Sequence, residues 1–326
     1  LVSFLFVSCG NGKKTVKNNT SKAKSTYNPF NLNDGKTSVQ AEFSFGPVSL
    51  AKELSYDGND IEEDYFYDNL GDVDCKFGFM IFIDGIPQAY KIDGESSKEI
   101  MHQFSVKKKS KVQFKVSFSP NIGEKGDKLG LYAVVIFNPN EIPSPSFPSF
   151  GNNHKLSQVL PVTLNYLKSA DSSEPEIDDK YSTENVTEEI KKEYLGVDKN
   201  DNGKYISKGA HSFYLKFNNN YKETKIELKK NSKLNLTLEG LCDPDDARYR
   251  TTVFIDNNPV KTIDGKDYLE MQLKKGMLSK QSFEIDTKGL TGNHIVSTIS
   301  VPVGNDYNKL SNQVVESNCK LLIIGE

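Results

Sequence analysis

The chain has 326 residues, which at about 150 residues per domain leaves room for roughly two domains, each burying its own core. Charged residues make up 26% and the net charge is only -3, so no overall cationic field exists to hold nucleic acid. A mean hydropathy of -0.54, with no apolar run approaching about 18 residues, excludes a polytopic membrane protein; aromatics at 10% without any Trp fit an ordered, strand-rich fold.

The chain opens with Leu1 to Val7, apolar apart from Ser3, followed by Ser8-Cys9-Gly10 and then an abrupt change to Asn11, Lys13, Lys14, Lys17, Lys22 and Lys24. A run this short cannot span a bilayer and reads as the end of a secretory signal peptide. Phe6-Val7-Ser8-Cys9-Gly10 resembles the lipobox of bacterial lipoproteins, with Phe6 where that motif usually carries Leu or Val. The resemblance implies that residues 1–8 are the remnant of the signal peptide, that Cys9 carries lipid, and that residues 9–35 are a polar stalk. It implies an extracytoplasmic protein held to a bacterial cell membrane through that anchor. The Asn and Lys enrichment points to a Gram-positive source, and the stalk lysines suit anionic headgroups, each contributing about 1 kcal/mol near the surface.

Beyond the stalk the sequence repeats itself. Phe82-Ile83-Asp84 matches Phe254-Ile255-Asp256, Pro87 matches Pro259, and Ile92-Asp93-Gly94 matches Ile263-Asp264-Gly265. Downstream, Phe114 to Phe118 aligns with Phe283 to Asp286, Leu131 to Ile136 with Ile295 to Ser300, and Lys155-Leu156-Ser157 with Lys309-Leu310-Ser311. Segments such as Val39 to Phe45, Lys111 to Phe118, Phe213 to Phe217 and Lys233 to Leu238 alternate apolar and polar residues at period two, as half-buried strands do. Turn signals at Asp84-Gly85, Asp93-Gly94, Asn257-Asn258-Pro259 and Asp264-Gly265 separate them. The expectation is an all-β chain of two homologous antiparallel β-sandwich domains in tandem, Ig-like by analogy, with roughly seven strands each. The boundaries fall at 36–168 and 203–326. Residues 169–202, rich in Asp and Glu, read as an acidic linker with a short helix from Thr187 to Leu195, Thr187 being its N-cap.

Several residue groups are candidates for chemistry. Asp198, Asn200 and Asn202 stand at alternate positions before Gly203, the spacing of a Ca²⁺-wrapping loop, but Gly209 occupies the position where a bidentate Glu belongs; an ordinary turn is the competing reading. The acidic run Asp57, Asp60, Glu62, Glu63, Asp64, Asp68, Asp72 and Asp74 holds enough carboxylates for glycoside hydrolysis, but charge runs usually face water and the expectation is a solvated loop. His102, His154, His211 and His294 are scattered, with no zinc-ligand spacing. Cys242 and Cys319 both lie in the second copy and are the candidate disulfide, closing a long loop that contributes about 4 kcal/mol, with buried thiols as the alternative.

A Pro-rich insertion in the first copy, with Pro143, Pro145 and Pro148 interleaved with Phe147 and Phe150, has no counterpart in the second and is the candidate binding loop. Two function classes remain. One is a non-catalytic binding or structural module, presenting loops to an extracellular protein, peptide or glycan, with no cofactor beyond the candidate Ca²⁺ and no nucleic acid. The other is an exported, glycosidase-like enzyme using the acidic run. With no catalytic signature in the chain, the first is the expectation.

Overall fold

The computed structural model describes residues 43–48, 53–171, 175–187, 189–190, 211–242, 245–306 and 313–325. Cys9, the stalk, the Asp198–Asn200–Asn202 loop and Lys309-Leu310-Ser311 lie outside the described residues.

The first half contains β1 (Phe43–Pro47), β2 (Glu53–Tyr56), β3 (Ile61–Asn69), β4 (Cys75–Ile83), β5 (Ile86–Gln88), β6 (Lys91–Ile92), β7 (Met101–Val106), β8 (Ser110–Phe118), β9 (Lys128–Phe137) and β10 (Leu156–Tyr166). One sheet runs β1-β3-β8-β6 and the other β2-β10-β9-β4-β5, with β7 also pairing β4. The second half contains β11 (Ile177–Asp178), β12 (Ser182–Asn185), β13 (His211–Lys216), β14 (Lys225–Leu228), β15 (Lys233–Cys242), β16 (Ala247–Ile255), β17 (Asn258–Pro259), β18 (Tyr268–Leu273), β19 (Met277–Asp286), β20 (Gly292–Pro302), β21 (Val315–Glu316) and β22 (Lys320–Ile324). Its sheets run β12-β19-β15-β13 and β11-β18-β16-β20-β22-β14. The described residues are nearly all β, and the central strands of the two sandwiches share one order, β1-β3-β8 matching β13-β15-β19 and β2-β10-β9-β4-β7 matching β14-β22-β20-β16-β18, whereas β6, β11 and β12 have no counterparts. A parallel pairing recurs as well, with β2 parallel to β10 and β14 parallel to β22.

The Phe-Ile-Asp segments end corresponding strands, β4 and β16, and both run into turns whose Asp has positive φ, 45° at Asp84 and 49° at Asp256. The alignment of later segments shifts. Ile83 pairs with Leu131 and Ile255 with Val296, so Leu131 corresponds to Val296 rather than Ile295. Lys108 N donates to Asp74 and Lys275 N donates to Asp246; counting from these matching turns, Phe114 corresponds to Gln281 rather than Phe283. The reason is burial. A slip of two leaves every side chain on the same face, and a slip of one carries no hydrophobic penalty in a strand buried on both sides.

Each sandwich has its own core. In the first it is aromatic, with Tyr67 stacked on Phe77 at 4.0 Å between ring centroids and the Tyr90 hydroxyl donating to the Phe79 carbonyl at 2.6 Å. In the second it is aliphatic, built on Leu215, Leu234, Leu238 and Met271, with the hydroxyls of Thr251 and Ser300 hydrogen-bonded to each other at 2.7 Å. A third apolar cluster joins the halves: Met80, Phe82, Tyr132, Val134 and Ile136 on the outer face of β4 and β9 pack with Phe254, Ile299 and Val301 of β16 and β20. These sheets are covered on both faces, which is why β4 and β9 read as nearly unbroken apolar runs instead of alternating.

Polar contacts rim this interface. Arg250 Nη1 donates to the Asp84 carbonyl at 2.6 Å and lies 3.3 Å from its carboxylate, while Arg250 Nη2 reaches Glu270 at 2.9 Å. Gly304 N donates to Asp84 Oδ1 at 2.8 Å, and Asn257 Nδ2 to the Pro139 carbonyl at 2.9 Å. Leu156 N donates to the Glu316 carboxylate.

The segment 169–202 is more than a linker. Ile177–Asp178 adds to β18 in parallel, and Ser182–Asn185 adds to β19 antiparallel, one strand at an edge of each sheet of the second sandwich. It contributes backbone hydrogen bonds, which composition does not register, and Tyr181, Val186 and Ile190 pack partly buried against the apolar clusters of the second sandwich. Its acids meet lysines, Glu176 with Lys266 at 2.8 Å and Glu184 with Lys280 at 2.7 Å. Thr187 Oγ1 accepts from Ile190 N at 3.3 Å, the contact of an N-cap.

Candidate functional site

The insertion between β9 and β10 is a constructed loop. Phe147 N donates to the Ser144 carbonyl at 2.9 Å, Asn153 N to the Phe150 carbonyl at 2.9 Å, and His154 N closes back on the Phe137 carbonyl at 2.8 Å. Asn138 Nδ2 donates to Asn153 Oδ1 at 3.0 Å, and the buried His154 ring holds the Glu141 carbonyl through Nε2 at 2.5 Å. Burial pushes the His154 pKa down, so the ring is neutral and Nε2 carries the proton. The two phenylalanines part company here: Phe147 projects into solvent at 75% exposure, whereas Phe150 is half-buried, edge-to-face on His154 at 5.7 Å. Ile142, 47% exposed, is a further apolar side chain of the loop that its sequence pattern did not single out.

The acidic run does not form a loop, contrary to the sequence reading. Most of it is β3, with Tyr65 and Tyr67 facing the core, because the aromatic alternation within the run has strand period. Its carboxylates serve local structure. Asp57 Oδ1 accepts from Asn59 N at 3.0 Å, Asp60 from the Ser119 hydroxyl, Glu62 from Lys115 Nζ at 3.2 Å, and Asp74 from Lys108 N at 2.9 Å. Asp72 pairs with Lys109 at 3.4 Å.

The histidines share one arrangement. Nε2 of His102 faces the Tyr90 carbonyl at 2.9 Å, that of His211 the Asp245 carbonyl at 2.9 Å, and that of His294 the Thr291 carbonyl at 3.1 Å, as His154 does with Glu141. A nitrogen facing a carbonyl must donate, so none of these four offers a lone pair there for a metal or a nucleophile's proton. Among the described residues no group of three or more His, Cys, Asp or Glu is placed to hold a metal ion.

Cys242 and Cys319 are not bridged, which corrects the disulfide expectation; both are thiols. Cys242, at the end of β15, donates to the Asp245 carbonyl at 2.8 Å, while Cys319 precedes β22 beside Glu316, where burial pushes its pKa up to about 12. The two sulfurs are committed to different neighbourhoods, and sequence separation carries no information on where side chains point.

One concavity escaped the sequence reading. Across the outer face of β15 and β19, under the Lys180–Ser182 segment, lies a polar groove of about 520 Å³. Glu239 sits in it, 2% exposed, with its carboxylate 3.0 Å from Lys216 Nζ and 3.7 Å from Lys280 Nζ. The alternation of Lys233 to Leu238 puts Thr237 and Glu239 on the wet face, where Lys216 and Lys280 flank the Glu239 carboxylate.

No protein-family profile matches the chain, and no curated protein does. Solved structures similar to it are β-rich. The CsuC-CsuE chaperone–tip adhesion subunit complex of Acinetobacter baumannii is 10% identical, with 87% of this chain and 100% of that one covered at a TM-score of 0.23. A protein of unknown function from Porphyromonas gingivalis is 9% identical, with 85% and 99% covered at a TM-score of 0.21. A β-glucosidase from Listeria innocua is 14% identical, with 38% of this chain and 16% of that one covered at a TM-score of 0.22.

Proposed function

We propose that this protein is an extracytoplasmic lipoprotein of a bacterial cell membrane, anchored through Cys9 and acting as a non-catalytic binding module. The observation that carries the reading is Phe147, held 75% exposed on a loop fixed by its own hydrogen bonds. An ordered loop that spends backbone and side-chain bonds to keep an aromatic in water suits capture of a partner. The use of chemistry-capable side chains agrees with this, since the histidines and the acidic run are absorbed in turns, ladders and ion pairs rather than brought together. The ligand class is an extracellular protein, peptide or glycan.

The test has two arms. Cys9→Ala in the full-length precursor abolishes lipid labelling and membrane retention if the anchor is right; retention without any label on the unaltered protein overturns it. A photo-crosslinking amino acid at position 147, compared with one at position 66 on β3, gives adducts with cell-surface material only at 147. Turnover in a glycosidase screen, lost in Asp60→Ala with Glu63→Ala, would replace the binding module with an enzyme.

A further inference from the structure

The geometry points to the open edge of β8, Ser110–Gln113, as a docking site where an extended acidic peptide adds to the first sandwich as an antiparallel strand. On that edge Asp93 N donates to the Lys115 carbonyl at 2.9 Å and Lys115 N donates to Asp93 Oδ1 at 2.8 Å. Backbone groups of alternate residues share an edge, so the N–H and C=O of Gln113 and Lys111 face the same way. Among the described residues β8 pairs only with β3 and, at Val116 and Ser117, with β6; no strand lies beside Ser110–Gln113.

The second sandwich supplies the precedent. Its corresponding edge, Met277–Lys280 of β19, is filled by Ser182–Asn185, whose one acid, Glu184, lies against Lys280 at 2.7 Å, and Val186 N donates to the Gly276 carbonyl at 3.0 Å. Gly276 corresponds to Lys109 in the first sandwich. Around the open edge stand Lys107, Lys108, Lys109 and Lys111, all exposed. Asp72 pairs with Lys109 at 3.4 Å, Asp68 lies opposite Lys111 on β3, and Lys111 Nζ sits 4.1 Å from the Phe66 ring centroid. Lysine on an edge repels basic strands, including this chain's Lys13–Lys24 segment and the same edge of a second copy. It attracts an acidic one, whose main chain takes the ladder bonds while its carboxylates meet the lysines. This inference does not rest on the Phe147 reading, and Phe147→Ala leaves it unchanged.

The probe is a synthetic peptide of this chain's residues 176–186, already a strand former in the second sandwich. Hydrogen exchange of the full chain is expected to slow at the Lys111 and Gln113 amides when the peptide is added. A peptide with each Asp and Glu changed to Lys, or N-methylated at alternate residues, gives no protection. Lys107→Glu with Lys108→Glu and Lys111→Glu weakens binding at least tenfold, and the modified peptides cover the case in which that variant fails to fold. Protection confined to Met277–Lys280, equal protection by the charge-reversed peptide, or Lys111 and Gln113 amides already slow before peptide is added would each overturn the inference.

Discussion

Phe82 and Phe254, the aromatic residues of the two repeated Phe-Ile-Asp segments, meet edge-to-face across the junction of the sandwiches, with ring centroids 6.5 Å apart and planes at 80°. Both are buried, at 0% and 1% exposure. The repeat therefore packs against itself: the face that each copy of the strand turns away from its own core becomes the contact between copies. Edge-to-face geometry sets the positive ring edge against the negative face.

Phe254→Ala is expected to cost about 3–5 kcal/mol, the range for removing a buried Phe, while leaving the core of the second sandwich intact. Urea unfolding should change from one transition to two, because the first sandwich keeps its own core. A single transition shifted by less than about 1 kcal/mol would show that the interface contributes little.

Arg250 is 8% exposed between Asp84 and Glu270. Arg250→Ala leaves the Asp84 carboxylate without its cation and Glu270 with only Arg248 at 3.5 Å, and should destabilise by about 3–5 kcal/mol. The combined replacement Arg250→Met, Asp84→Asn and Glu270→Gln should recover most of that loss, since it removes the uncompensated charge. Gly85→Ala should act on the same contact: φ there is +79°, and a Cβ would lie 2.7 Å from that of Arg250. Equilibrium denaturation distinguishes these outcomes.

Glu316 is half-buried beside the junction, and its partial burial pushes its pKa up to about 7, with the Leu156 N–H and Lys155 opposing the shift. A carboxyl with a raised folded pKa favours the folded state most below its unfolded value of 4.5, and that contribution is lost as pH rises through about 7. Stability should therefore fall between these limits by at most on the order of 3 kcal/mol. Glu316→Gln should flatten that part of the profile. Identical pH dependence in the two proteins would locate the effect elsewhere.

Burial raises the pKa of the Cys75 and Cys319 thiols; Cys75 and Cys242 are buried and Cys319 is half-buried. In the folded protein at pH 8 these three should react with a thiol reagent far more slowly than a free cysteine, and all three should react once the chain is unfolded without reductant. A mass two hydrogens low, retained on unfolding, would restore the Cys242–Cys319 bridge.

The chain's own residues declare its strands wherever one face is wet. Lys111 to Phe118 and Lys233 to Leu238 alternate, and the Asp-Gly and Asp-Asn turns carry the positive φ that hairpins need, so an all-β repeat follows from local pattern alone. Tertiary structure decided the rest. Only the opposing sheet tells Met80, Phe82, Val134 and Ile136 that they belong to a junction and not to a core, because apolar residues on both faces look the same in sequence. Only a neighbouring edge makes a strand of Ser182–Asn185, four exposed residues joined to β19 through backbone bonds that any sequence without proline could make. The exposure of Phe147 beside the tucked Phe150 was settled likewise, by hydrogen bonds within the loop rather than by the composition the two residues share.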